Sequence, residues 1–499
     1  MSSILKIILW GEEIGRLAWD NRRHTSYFTF NPDFAAKGLE VSPLKASVKS
    51  FGMGMPVWGE SERLYQKLPA FLADSLPDAW GNQLFECWRR ENRLAVSDIT
   101  PLEKLSFIGK RGMGALEFEP ETGRRNTTEK VDIQSLVDLS SRIFEQRENA
   151  RILPEESLTL QSLISVGTSA GGRRPKAILA VNRETGEIRS GQVAGLEGYD
   201  YCILKFGDER YCTAELEMVY YEIACKAGIR MMPSRLIEVE GKRHFLTQRF
   251  DRIGDKKVHT QTLAAIWPEA DSYEQLLWVC RKLRLPEVDI DEVFRRMVFN
   301  HLSNNTDDHN KNFSFIMDEQ GAWRLSPAYD MTYIIDTNGY LPNRDHCIFT
   351  CGKLSGVTLQ DVLDFAKANG IRRPEKTIRE VADAINDFRA LAARHGVSTE
   401  WIGRVEACLQ EHLADWGLSE QGACCFSYTD KDGRTIESAH LEQALKGNLH
   451  LDATIDGKKC KFILRKNTTD YQNILAHGLS RISQEYMAAL VEKYLVKEK

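Results

Sequence analysis

Apolar and polar residues alternate from the start of the chain. Leu5, Ile7 and Leu9 fall on one side of an extended segment, and Gly15-Arg-Leu-Ala-Trp19, Tyr27 and Phe30 continue the pattern. A period of two broken by short spacers predicts antiparallel strands and a small β-rich N-terminal module. Between Phe71 and Gly81 the pattern turns helical, with Ser75 or Asp78 available as caps and Leu84, Phe85 and Trp88 as a buried face, which reads as a structural helix. A further helical stretch runs to about Gln146, and Ala177-Ile-Leu-Ala-Val181 and Tyr201-Cys-Ile-Leu-Lys-Phe206 return to strand-like runs. A helix is expected from about Ala214 to Ala227, then a strand over His244-Phe-Leu-Thr-Gln-Arg-Phe-Asp251 that ends in polar groups. Leu276 to Leu283, Asp289 to His301 and most of 374–415 carry apolar residues at helical spacing, so a β-richer half precedes a helix-rich one.

After about residue 420 the pattern changes again. Phe426-Ser-Tyr-Thr-Asp-Lys-Asp-Gly-Arg434 places a turn between extended runs, Leu449 to Ile463 alternates around Asp456-Gly457, and 480–496 is amphipathic, which predicts an appended α+β module. With the polar stretch 121–132 as a linker, the domains read as 1–125, 133–252, 253–418 and 420–499.

Composition narrows the class. The 499 residues are 42% hydrophobic and 27% charged, enough for a large core and several domains. No apolar run reaches the roughly eighteen residues that span a bilayer, and Met1-Ser-Ser-Ile-Leu-Lys6 lacks the apolar core of a signal peptide, so a cytoplasmic location with no membrane contact is expected. Eleven scattered cysteines without paired C-x-x-C motifs read as reduced thiols, and His346, Cys347 and Cys351 match no zinc spacing. The net charge of −5 gives no whole-surface field for nucleic acid, and no direct contact with it is expected.

Candidate chemistry centres on Asn304-Asn-Thr-Asp-Asp-His-Asn-Lys-Asn-Phe-Ser-Phe-Ile-Met317 and Ser326-Pro-Ala-Tyr-Asp330. Asp307 and Asn312 stand five apart, the interval between the catalytic-loop Asp and the metal-holding Asn of protein kinases, whereas Asp308 is only four from Asn312. The loop follows a predicted helix and precedes a hairpin, Phe313 to Met317, a turn over Asp318 to Gly321, and Ala322 to Leu325, after which Asp330 stands where kinases keep a second metal-binding Asp. Lys205 sits in an apolar strand and needs an anionic partner, and the following helix offers Glu215 and Glu217. Ser165-Val-Gly-Thr-Ser-Ala-Gly-Gly-Arg-Arg-Pro-Lys176 is a candidate phosphate loop. The glycines at 109, 112 and 114 miss the Walker spacing and read as a tight structural turn.

These stretches resemble the HipA serine/threonine kinases of bacterial toxin–antitoxin systems. The likeness rests on Leu76-Pro-Asp-Ala-Trp-Gly81, Gly109 to Leu116, Ser169 to Lys176, Ile203-Leu-Lys205, Gln248-Arg-Phe-Asp-Arg252, Thr306 to Phe313 and Tyr329-Asp330, in that order over roughly residues 70–330. It implies a two-lobed, protein-kinase-like α+β fold with a β-rich N-terminal subdomain and a mostly helical C-lobe. It also implies ATP and magnesium as cofactors, with Asp307 as the catalytic acid/base residue and Asn312 and Asp330 as metal ligands. Gly171, Gly172, Arg173, Arg174, Pro175, Lys176, Lys205, Gln248, Arg249, Phe250, His309, Lys311, Asn312 and Tyr329 would line the nucleotide, and Ser169 would be the autophosphorylated loop serine, with Thr168 beside it. Gln248 stands where the family usually has glutamate. Expected partners are a host protein substrate, such as an aminoacyl-tRNA synthetase, and a HipB-like DNA-binding antitoxin. The same residues would serve a small-molecule kinase. An inactive kinase-like co-repressor would need no such set as Lys205, Asp307, Asn312 and Asp330.

Overall fold

The computed structural model describes residues 4–91, 99–122, 132–146, 159, 163, 174–191, 196–254, 256–334 and 345–418, together with four strands between 428 and 464. Alternation at the N-terminus is realised as β1 (Ile4–Leu9), β2 (Glu12–Asp20) and β3 (Thr25–Phe30), joined by β4 (Val57–Trp58) and β5 (Leu116–Glu119) in an antiparallel sheet of order β4-β3-β2-β1-β5. Leu5, Ile7 and Leu9 are buried on one face, as the pleat requires. Gly15, opposite Ile7 on β2, is needed for space: a Cβ there would strike the Phe28 ring and the Thr29 carbonyl. Phe28 meets Phe71 edge-on at 5.2 Å between ring centroids, which fixes the following segment against the sheet. That segment holds the helix Ala79–Glu91, whose Trp80, Leu84 and Phe85 are buried.

A second sheet, of order β7-β6-β8-β10-β9, is built from β6 (Lys176–Asn182), β7 (Ile188–Ser190), β8 (Tyr199–Lys205), β9 (Ser234–Val239) and β10 (Lys242–Gln248). Residues 176–181 of β6 are all buried, as expected for a strand covered on both faces. The helix Thr213–Lys226 packs on this sheet through Ala214 and Met218, which meet Phe245 of β10. Next come the short pair β11 (Arg252–Ile253) and β12 (Lys256–Lys257), then β13 (His259–Thr262), which pairs with the predicted hairpin, now β14 (Ser314–Met317) and β15 (Trp323–Leu325).

The helix Glu287–Ser303 runs through the centre of the helical half. Val293, Phe294, Met297, Val298, Phe299 and Leu302 are buried, and so are Glu292, Arg296, Asn300 and His301, so its polar side also faces protein. Asn304 ends it in the left-handed region (φ 56°), a conformation asparagine tolerates better than most residues. The helices Leu359–Ala368, Pro374–Asn386, Phe388–Arg394 and Thr399–Asp415 complete this half, and one apolar cluster extends from the first sheet into it.

Four further antiparallel strands, β16 (Tyr428–Thr429), β17 (Thr435–Gln443), β18 (Leu449–Ile455) and β19 (Lys458–Leu464), form the strand part of the expected C-terminal module; the helix expected over 480–496 lies outside the described residues. Among the described residues, no helix is long and apolar enough to cross a membrane.

Candidate active site

The C-terminal end of the Glu287–Ser303 helix and the start of β14 hold the loop 304–313 between them. Two adjacent aspartates in it face opposite ways. Asp308 is buried, and its carboxylate accepts hydrogen bonds from the Tyr273 hydroxyl (2.7 Å), His346 Nδ1 (2.8 Å) and the Cys347 backbone N–H (2.8 Å). Behind it Asn300 donates to the Tyr273 oxygen and Asn305 donates to Asn300, so the loop is anchored by a continuous buried network. Asp307 has a side chain that is 53% exposed, with His309 Nε2 3.8 Å away. Asn312 donates from Nδ2 to the Asp307 carbonyl at 2.6 Å, which closes the five-residue interval into a ring and leaves Oδ1 as a donor for a hard cation.

Across the cleft, the Lys205 ammonium pairs with both Glu217 and Asp330. Of the two glutamates offered by the sequence, Glu217 is therefore the partner, while Glu215 lies 3.6 Å from Arg243. Burial alone would lower the Lys205 ammonium, but Asp330 and Glu217 outweigh it and hold it above its ordinary value. Burial would raise Asp330, yet Lys205 and Lys176 hold it well below the usual carboxylate range. For Glu217 burial prevails, and its carboxyl is raised despite Lys205. Lys176, opposite Lys205 across the β6–β8 pair, is buried and lowered by desolvation, with Asp330 opposing. Asp330 itself is in the left-handed region (φ 53°), an uncommon conformation of the kind that gathers at functional sites.

A cavity of about 20 Å³, room for a water or a small ion, is lined by Asn305, Asp308, Asn312 and Asp330 among others. The Asp330 carboxylate and the Asn312 amide oxygen suit magnesium, which takes few protein ligands when phosphates supply the rest. Among the described residues no cage of three or more His, Cys, Asp or Glu side chains is present. The His346, Cys347 and Cys351 group is divided: His346 serves Asp308, the Cys347 thiol lies 3.9 Å from Asp307 Oδ1, and the Cys351 thiol donates to the Asp361 carbonyl.

The remaining expected nucleotide residues separate into groups. Phe250 stacks on Tyr329 (centroids 5.5 Å apart), and the Tyr329 hydroxyl donates to the Lys311 carbonyl at 2.7 Å, so these three are linked beside Asp330. Gln248 donates to Asp200 on β8 at 2.9 Å, an arrangement in which glutamate would set two carboxylates against each other. Arg249 departs from the expectation. Its side chain is fully buried and holds Asp251 through Nε and Nη2 at 2.8 Å each, so a direct nucleotide contact would require that pair to open. Asp251 also accepts from Arg252 and from the Gly114 N–H (2.6 Å), which explains the glycine turn at 109–114 as a docking point for this strand end. Arg174 is exposed, and Pro175 accepts from the Phe206 N–H at 3.2 Å. Thr168, Ser169, Gly171, Gly172 and Arg173 lie outside the described residues.

Asp78, which the sequence offers as a helix cap, has a second place in the structure. The turn before the Ala79–Glu91 helix carries its carboxylate to Lys311, 2.7 Å from the ammonium. Its place in the Leu76 to Gly81 motif is the signal that the sequence holds for it.

Sequence comparison fits this geometry. The HipA N-terminal domain family matches residues 5–119 and the HipA-like C-terminal domain family matches residues 168–390. The chain belongs to the HipA family. A putative kinase, Y4mE, of Sinorhizobium fredii is 24% identical over 347 residues, covering 64% of this chain and 78% of that one. A putative kinase of Haemophilus influenzae is 26% identical over 214 residues, covering 38% of this chain and 60% of the relative. Among solved structures, the Shewanella oneidensis toxin–antitoxin complex of HipA, HipB and operator DNA contains a chain with a TM-score of 0.59 at 17% identity, covering 83% of this chain and 97% of that one. The architecture is thus the mixed α+β, kinase-like fold of HipA, and the chain is a HipA-family kinase-like protein.

Proposed function

We propose that this HipA-family protein is an ATP- and magnesium-dependent serine/threonine protein kinase of the toxin type, which phosphorylates a host protein and its own loop serine, Ser169. The observation that carries the reading is the pairing of Lys205 with Glu217 and Asp330, where Asp330 lines one cavity with Asn312 and Asn312 bonds the Asp307 carbonyl. Phosphoryl transfer asks the protein mainly for positioning and electrostatic stabilisation. Lys205, steadied by Glu217, would present its ammonium to the phosphate oxygens, with Lys176 and the 171–174 loop completing the cationic side. Asp307 would accept a hydrogen bond from the acceptor hydroxyl and point it at the γ-phosphate, while Asn312 holds the backbone of that residue in place. Magnesium held by Asn312 and Asp330 would neutralise charge on the β- and γ-phosphates. Phe250 and Tyr329 would pack at the nucleotide side.

By the likeness to the HipA–HipB–DNA complex, a HipB-like DNA-binding antitoxin is the partner we propose, and the chain itself would contact DNA only through it. Incubation with γ-labelled ATP and magnesium tests the kinase reading. Label is expected on Ser169, and absence of label from both the chain and a host lysate would oppose it.

A further inference from the structure

The Leu76 to Gly81 motif reaches the site at two places. Trp80 donates from Nε1 to the carbonyl of Lys176 on β6 at 3.1 Å, and Asp78 holds the Lys311 ammonium in the 304–313 loop. Lys311 lies one residue before Asn312, and its carbonyl accepts from Tyr329, the neighbour of Asp330. Asp74 stands close by, its carboxylate accepting from the Thr262 N–H (2.9 Å) and hydroxyl (2.7 Å) at the end of β13. Six residues of the N-terminal domain thus grip both the strand bearing the second lysine and the loop bearing Asp307. An accessory domain that only packed beside the kinase lobes would need no half-buried charge pair to the residue next to Asn312.

We propose that Asp78 is a positioning residue for phosphoryl transfer: through Lys311 it fixes the Asn312 half of the loop, making the N-terminal domain a structural part of the active centre. This rests on the kinase reading.

The test uses the full-length protein and its Asp78→Asn and Asp78→Glu variants, with two readouts. In phosphoryl transfer from magnesium–ATP, Asp78→Asn is expected to lower kcat by roughly 10- to 100-fold, the scale of a small misplacement of reacting groups, with KM for ATP within about threefold. Asp78→Glu, which keeps the carboxylate, is expected to recover most of that loss. Independently of activity, Lys311 labelling by acetic anhydride, read by mass spectrometry, should quicken severalfold in Asp78→Asn as the side chain is released from the carboxylate that holds it. Both variants should bind AMP-PNP as the wild type does, which a collapsed fold would not. Unchanged labelling overturns the tie between Asp78 and Lys311. Faster labelling with unchanged kcat overturns the positioning role. A wild type that transfers no phosphate overturns the kinase reading and this role with it, while the labelling arm still reports the ion pair.

Discussion

Replacing Asp308 by alanine should unfold this protein far more readily than replacing its neighbour Asp307. The buried Asp308 carboxylate is the acceptor for the Tyr273 hydroxyl, His346 and the Cys347 N–H. The histidine can change tautomer and turn an unprotonated nitrogen toward the gap. The other two donors are stranded, and at about 1–3 kcal/mol for each buried group left unpaired the cost is roughly 4 kcal/mol. A cooperative unit of about 150–250 residues loses about 2–4 °C per kcal/mol, so melting of the helical half should fall by roughly 8–16 °C. Asp307 is half exposed, and its substitution should stay within about 0.5 kcal/mol of wild type. Scanning calorimetry of the two alanine variants is the assay. An Asp308→Ala protein melting within a degree or two of wild type, or an Asp307→Ala protein as damaged as its neighbour, would refute the assignment of structural and chemical roles.

Other outcomes follow from the same contacts. Lys205→Met removes the partner of two carboxylates at once and should cost about 3–5 kcal/mol of stability as well as nucleotide affinity, whereas a merely exposed lysine would show neither loss in calorimetry and AMP-PNP titration. Buried His259 is held down at about 4 by desolvation, so the stability from keeping it neutral is present above pH 6.5 and is lost as pH falls through 4; thermal melts of His259→Gln should show a flatter slope in that window, and an unchanged slope would oppose it. Asp330 and Asp251 are depressed by their lysine and arginine partners, so their contribution is present above the ordinary carboxylate range and lost below it; Asp251→Asn should remove part of the acid transition seen by circular dichroism below about pH 4. Gln248→Glu should destabilise by about 1 kcal/mol by opposing Asp200, and Asp200→Asn should restore the melting temperature of that variant.

How much of this could be read from the chain differs by element, for a physical reason. The β1–β3 meander, the β14–β15 hairpin and the Glu287–Ser303 helix are local, and periodicity records local burial directly. The Asp307 to Asn312 interval was readable because one side chain bonds the other residue's backbone within a single loop. The contacts that complete the site join residues far apart in sequence: Asp78 with Lys311, Gly114 with Asp251, and Asp308 with His346. No period or spacing encodes such pairs. Glu217 could be narrowed to two candidates from its helix, but which turn faces Lys205 is decided by packing on the sheet. The pair of Arg249 with Asp251 is hidden for a related reason, since a cation at a strand end looks available until its buried partner two residues away is seen.

On the proposed reading Asp307 orients the acceptor hydroxyl in a nucleotide site that it does not itself build. Transfer from γ-labelled ATP by the wild type and Asp307→Asn, measured beside AMP-PNP affinity, tests it most directly. Loss of transfer by about 10²–10⁴-fold is expected, with affinity unchanged within about threefold. Turnover retained in Asp307→Asn would contradict it.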